Sequence, residues 1–83
     1  MAEADKLLDR MRRNPRGDWR IDHLKTVAKA HGIQWRSPGG SHVIFMPPAG
    51  PVLSVPAPRP IKPIYVRLFI ELIGRQETEN DES

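Results

Sequence analysis

Two helical stripes open the chain. Within residues 4–13, Leu7, Leu8 and Met11 recur at helical spacing with basic residues opposite, which predicts a short amphipathic helix ended by Asn14-Pro15-Arg16-Gly17. Leu24, Val27, Ala28 and His31 then fall at i, i+3, i+4 and i+7 and predict a second helix, with Asp18 or Asp22 available near its start. Gly32 stops it, and a glycine followed by apolar Ile33 is the pattern of a left-handed C-terminal cap with its hydrophobic contact. From Ile33 the period changes to alternation. Residues 33–36 and 42–46 read as paired strands around a turn at Ser37-Pro38-Gly39-Gly40, and residues 52–55 as a third strand ended by Pro56. Pro58 and Pro60 stiffen the crossing to a last helix that starts at Pro63, carries Tyr65, Leu68, Phe69, Leu72 and Ile73 as its apolar stripe, and closes at Gly74.

The expected fold is α+β: helices packed on one face of a three-stranded antiparallel sheet, in the order α-α-β-β-β-α, with the other sheet face open. Both sides of the second strand are apolar, so periodicity leaves open whether Val43 and Phe45 or Ile44 and Met46 face the helices.

Length allows one domain. Eighty-three residues bury only about 60% of their unfolded surface or slightly more, and 39% hydrophobic with 28% charged residues is an ordinary globular balance. No apolar run approaches the roughly 20 residues of a spanning helix, and the first residues lack the basic and apolar stretches of a signal peptide. A cytoplasmic protein without membrane contact is the expectation. The absence of cysteine removes disulfides, thiolate zinc sites and cysteine nucleophiles together.

Charge adds more than its total of +3. All 13 Lys and Arg lie in residues 1–75 against six acidic residues, a balance of +7, while residues 76–83 carry −4. The domain is therefore expected to span 1–75, with 76–83 a disordered acidic tail. A basic body suits a polyanion, because each phosphate contact releases a counterion; solubility alone is the plainer account. Arg10, Arg12, Arg13 and Arg16 read equally as RNA contacts or as a solvated face.

Candidate chemistry centres on Gly39-Gly40-Ser41-His42, where a turn meets a strand. Glycines let backbone approach a phosphate, successive N–H groups near a turn bind anions, and an imidazole, titrating ordinarily near about 6.5, serves as base or acid. RNA cleavage by its own 2′-hydroxyl needs such a base, an acid for the leaving oxygen, and positive charge beside the phosphorane. Arg36, Arg59 and Lys62 are the nearest candidate cations. A tight turn beside an edge-strand polar residue explains the same tetrad, and spacing alone favours that plainer account. Ser41 has no carboxylate arranged to make a triad with His42 and is read as a hydrogen-bonding residue. His31, in a last helical turn, reads as a cap; His23 reads as surface; the two are eight residues apart, which is not a helical metal pair. Trp19 and Trp35 are expected in the core rather than stacked on bases.

Four segments in order, Asp18-Trp19-Arg20-Ile21, Gly39-Gly40-Ser41-His42-Val43-Ile44-Phe45, Val55-Pro56 and Ile61-Lys62-Pro63, resemble the HicA family of bacterial mRNA interferase toxins, from about Asp18 to Gly74. The resemblance implies a double-stranded-RNA-binding-domain-like fold and metal-independent cleavage of mRNA without any cofactor. It makes His42 the catalytic residue; Gly40, Ser41, Arg36, Arg59 and Lys62 are the expected substrate contacts from the reading of the turn and its nearest cations. It also implies a HicB-like antitoxin that binds the toxin and blocks the site, with a monomeric free toxin and a hetero-oligomeric complex. The chain departs from the shortest members in its N-terminal helix, about 4–13, in a single rather than doubled histidine after Ser41, and in its acidic tail. A non-catalytic RNA-binding module of the same fold is the alternative.

Overall fold

The sheet decides where the chemistry can sit. A computed structural model describes residues 3–81 and contains α1 (Glu3–Arg13), α2 (Ile21–Ala30), β1 (Gln34–Arg36), β2 (His42–Met46), β3 (Leu53–Pro56) and α3 (Pro63–Asp81). The strands form an antiparallel meander, β1-β2-β3, that pairs Trp35 with Phe45 and Arg36 with Ile44 on one side of β2, and His42 with Pro56 and Val43 with Val55 on the other. The element order and α+β class are those the pattern predicts.

Alternation along β2 resolves the open question of its faces. Val43 and Phe45 are buried and point to the helices, with Val55 buried beside Val43 and Trp35 half-buried across from Phe45. Because side chains alternate across a strand, His42, Ile44 and Met46 take the other, open face together with Arg36 and Ser54. Phe45 and Phe69 meet at 5.2 Å between ring centroids, joining sheet to α3 at the centre of the core. Beyond them α1 lies against α2 and α3, burying Ala4, Leu7, Leu8 and Met11.

The helix ends show which local signals won. Gly32, at φ 71°, closes α2: the Ile33 N–H donates to Ala28 O and the Gly32 N–H to Lys29 O, the double bond pattern of a Schellman motif, while Ile33 is buried. His31 caps the same end, its Nδ1–H donating to Val27 O at 3.0 Å. At the other end neither Asp18 nor Asp22 caps α2. Arg20 takes the extended N-cap position, and its N–H donates to Nδ1 of His23 at 3.0 Å, so the imidazole fills the place a glutamate usually fills in a capping box. His23 is therefore a half-buried structural residue rather than a free surface one.

Two expectations for α3 are corrected. Its buried stripe is Val66, Phe69, Leu72 and Ile73, whereas Leu68 is 39% exposed and Tyr65 half-buried. Gly74 does not end the helix. Its φ is not positive, and two residues later the buried Gln76 amide accepts from Ala49 N–H (3.1 Å) and donates to Ala49 O (2.6 Å) and Leu72 O (3.1 Å). These bonds hold the helix against the β2–β3 loop, so the packed body includes Gln76 and the backbone runs helical to Asp81. Of the expected disordered tail, residues 82–83 lie outside the described residues. Among the described residues no helix is long and apolar enough to cross a membrane.

Candidate active site at the first hairpin

The β1–β2 turn is shaped by one glycine. Gly40 has φ 79°, a conformation L-residues avoid, and its N–H donates to Ser37 O at 3.3 Å; Gly39 has no such requirement, and an added Cβ there would meet only Ser41 Oγ, at 4.0 Å. A Cβ at Gly40 would meet nothing within 4 Å, so the space above it is open. The N–H groups of Gly39 and Ser41 make no hydrogen bond within the described residues. These two donors are available to an anion at the turn.

His42 follows immediately and is exposed. Two bonds fix its backbone environment: Ser37 Oγ donates to His42 O at 2.9 Å, and the Ala57 N–H donates to Ser41 O at 2.8 Å, so the hairpin is braced from inside and from the strand beyond. Among the described residues the ring has one partner, Ser41 Oγ, 3.3 Å from Nδ1. Both atoms donate or accept, and the choice sets the chemistry. With Nδ1–H donating to Oγ, Nε2 holds a lone pair and is a base; with the hydroxyl donating to Nδ1, Nε2 carries the proton and is a donor.

The candidate cations separate into two groups. Arg36 shares the open sheet face and lies diagonal to His42 across β1 and β2, a relation that puts Cα atoms about 7–8 Å apart. Arg59 and Lys62 lie on the crossing between β3 and α3, whose first residue, Ala57, is bonded to the hairpin and whose end is bonded to the α1–α2 loop through the Ile61 N–H and Trp19 O at 2.8 Å. Arg59 is thus two residues from each of these anchors, and Lys62 directly follows the one at Trp19. All three side chains are exposed and make no ion pair within the described residues. Ser37 and Ala57 were not singled out by the sequence. Serine at the start of a Pro-Gly turn was the available signal for Ser37; the Ala57 bond is a product of strand register and leaves no local trace.

The other two histidines stand apart. His23 and His31 sit at opposite ends of α2, each with a ring nitrogen committed to a cap. Trp19 is buried with its indole N–H donating to Asn14 O, and Trp35 packs 6.2 Å from Phe45, so both are core aromatics as expected. No family model, curated protein or solved structure matches the chain.

Proposed function

We propose that the protein is an endoribonuclease that cleaves mRNA at a phosphodiester seated over Gly40 and Ser41, with His42 as the proton-transfer group. The observation that carries this reading is the exposed imidazole at a turn with two free backbone N–H donors and an unpaired guanidinium, Arg36, on its own face. In the cleavage step Nε2 of His42 takes the 2′-hydroxyl proton as the 2′-oxygen bonds to phosphorus. The bond from phosphorus to the 5′-oxygen breaks, and that oxygen takes a proton from solvent. The products are a 2′,3′-cyclic phosphate and a 5′-hydroxyl, and atoms and charge balance without a metal. Ser41, accepting from Nδ1–H, keeps the lone pair on Nε2, and Arg36 offsets charge that develops on the phosphorane.

The resemblance of the four ordered segments to HicA toxins supports the same reading and extends it: a cytoplasmic toxin of a type II pair, neutralised by a HicB-like antitoxin. A non-catalytic RNA-binding module is the second reading, favoured by the position of His42 on an open sheet face rather than in a cleft. Incubation of single-stranded RNA with the pure protein in EDTA separates the two. Cleavage that His42→Ala abolishes, with unchanged circular dichroism and melting temperature, is expected. Intact RNA with the wild-type protein, or undiminished cutting by the alanine variant, overturns the proposal.

A further inference from the structure

The hairpin leaves the cations of the first twenty residues without a task. Arg10 and Arg13, one turn apart on α1, line a cleft of about 410 Å³ between the end of α1 and the start of α2, with Asp18, Trp19 and His23 among its other walls. Trp19 is its floor: the ring is buried, and the Arg10 guanidinium lies 5.9 Å from its centroid. Arg13 is held only by an exposed pair with Asp9 at 3.0 Å, which leaves most of its donors free. Nδ1 of His23 accepts from the Arg20 N–H, so the neutral ring carries its proton on Nε2 as a further donor. Two guanidiniums and an imidazole line the cleft against the Asp18 carboxylate, with Asp9 occupying part of Arg13, so the donors left over suit a compact anion rich in acceptors, such as a phosphate.

The cleft is joined to the hairpin through backbone. Trp19 O accepts from Ile61, and Ala57 donates to Ser41, so the crossing that bears Arg59 and Lys62 bridges the two places. The four steps from Ala57 to Ile61 span at most about 14 Å. Free cations spaced along that bridge match a repeating phosphate chain better than the clustered carboxylates of an acidic protein segment.

We propose that the α1–α2 cleft is a second phosphate subsite for the RNA strand that is cut at the hairpin, an inference that rests on the hairpin's cleaving RNA. The strand runs from His42 past Arg59 and Lys62 to Arg10, Arg13 and His23.

Two substitutions test the cleft and keep the bonds of Trp19 to Asn14 and of Arg20 to residue 23, the exposed Arg13–Asp9 pair being the one lost. Arg13→Gln deletes one cation from an exposed position. His23→Glu keeps an acceptor for the Arg20 N–H, since glutamate is the usual residue there, and places a carboxylate in the cleft. Arg75→Gln, three turns along α3, is the control for net charge. Steady-state cleavage of a long single-stranded RNA is compared with that of a dinucleotide too short to leave the hairpin. Each cleft variant is expected to raise the long-to-short ratio of KM values about tenfold, and Arg75→Gln to leave it in place. An unchanged ratio, or an equal change with Arg75→Gln, overturns the subsite. If the wild-type protein cuts no RNA, it is the hairpin reading that fails. Equilibrium binding of the same RNA by fluorescence anisotropy still judges the cleft: a salt slope lowered by about 1 in Arg13→Gln supports it and an unchanged slope overturns it. Polyglutamate that competes for wild-type protein more strongly than RNA does would assign the cleft to an acidic protein instead and overturn the RNA subsite.

Discussion

The two loops of the meander leave β2 at opposite ends and have opposite characters. The first, residues 37–41, is exposed, braced by Ser37 and by Ala57, and leaves two N–H groups free beside the exposed imidazole of His42. The second, residues 47–52, is gripped by α3: the Gln76 amide closes both the donor and the acceptor of Ala49, and Gly50, at φ 93°, lies so close to α3 that a Cβ would meet Arg75 Cδ at 3.2 Å. Each turn is built on a glycine with positive φ. What differs is where the polar groups go: inward to satisfy the protein at the second loop, outward to solvent at the first. A small domain with little core to spare can leave one loop polar and open when the other is tied down.

The comparison is broken most severely by His42→Ala. If the first loop is the chemical end, this exposed substitution removes a general acid–base contribution of about 10²–10⁴-fold in kcat while the melting temperature stays in place. Gln76→Ala is expected to do the reverse. It leaves the half-buried N–H and C=O of Ala49 without their partner, costing about 2 kcal/mol, or about 8–16 °C in melting temperature, with kcat of the remaining folded protein unchanged. Thermal melts and single-turnover rates below the transition read both. A fall in folded-state kcat for Gln76→Ala would mean the two ends are coupled.

Glycine substitutions sharpen the contrast because the backbone penalty is alike at both ends. Gly40→Ala and Gly50→Ala each force an alanine into a left-handed conformation, at about 1–2 kcal/mol. Only Gly40→Ala is expected to lower activity as well, since it alone reshapes the turn that presents the free N–H groups. Gly39→Ala, at a φ that is not positive and with 4.0 Å to its nearest neighbour, should be close to neutral in stability. Chemical denaturation of the three variants beside their kcat/KM values checks this, and equal activity losses at Gly40 and Gly50 would count against a specialised first loop.

What could be read from the sequence was local, and what could not was long-range. The Gly32 stop, the Pro63 start and the turn before His42 are settled within four or five residues, and each stands where the pattern put it. The parity of β2 was not legible, because Ile44 and Met46 are as apolar as Val43 and Phe45 and only packing against Phe69 chooses between them. That choice fixes the face His42 takes, so the site's exposure was equally hidden. Gly74 looked like a helix end because the bonds that carry α3 past it join Gln76 to a residue 27 positions earlier. Leu68 fits a helical stripe by spacing, yet the helix turns it outward; His23 caps α2 where two aspartates were the expected candidates.

The smallest effect concerns Ser41, whose hydroxyl touches the His42 imidazole. At 3.3 Å its hydroxyl makes a long hydrogen bond to Nδ1, worth about 0.5–1 kcal/mol, and its removal in Ser41→Ala should slow cleavage about two- to fivefold through loss of the tautomer that leaves Nε2 free. A positioning role predicts that kcat falls while KM holds, and that Ser41→Thr, which keeps the hydroxyl, restores most of the rate. A phosphate-binding role predicts the opposite split, with KM rising and kcat preserved. Because the Ser41 carbonyl, not its side chain, holds Ala57, neither variant should shift the melting temperature by more than the about 2–8 °C that this one bond can represent. A larger shift would show that the hydroxyl braces the hairpin itself, and the first loop would then be less open than its geometry indicates.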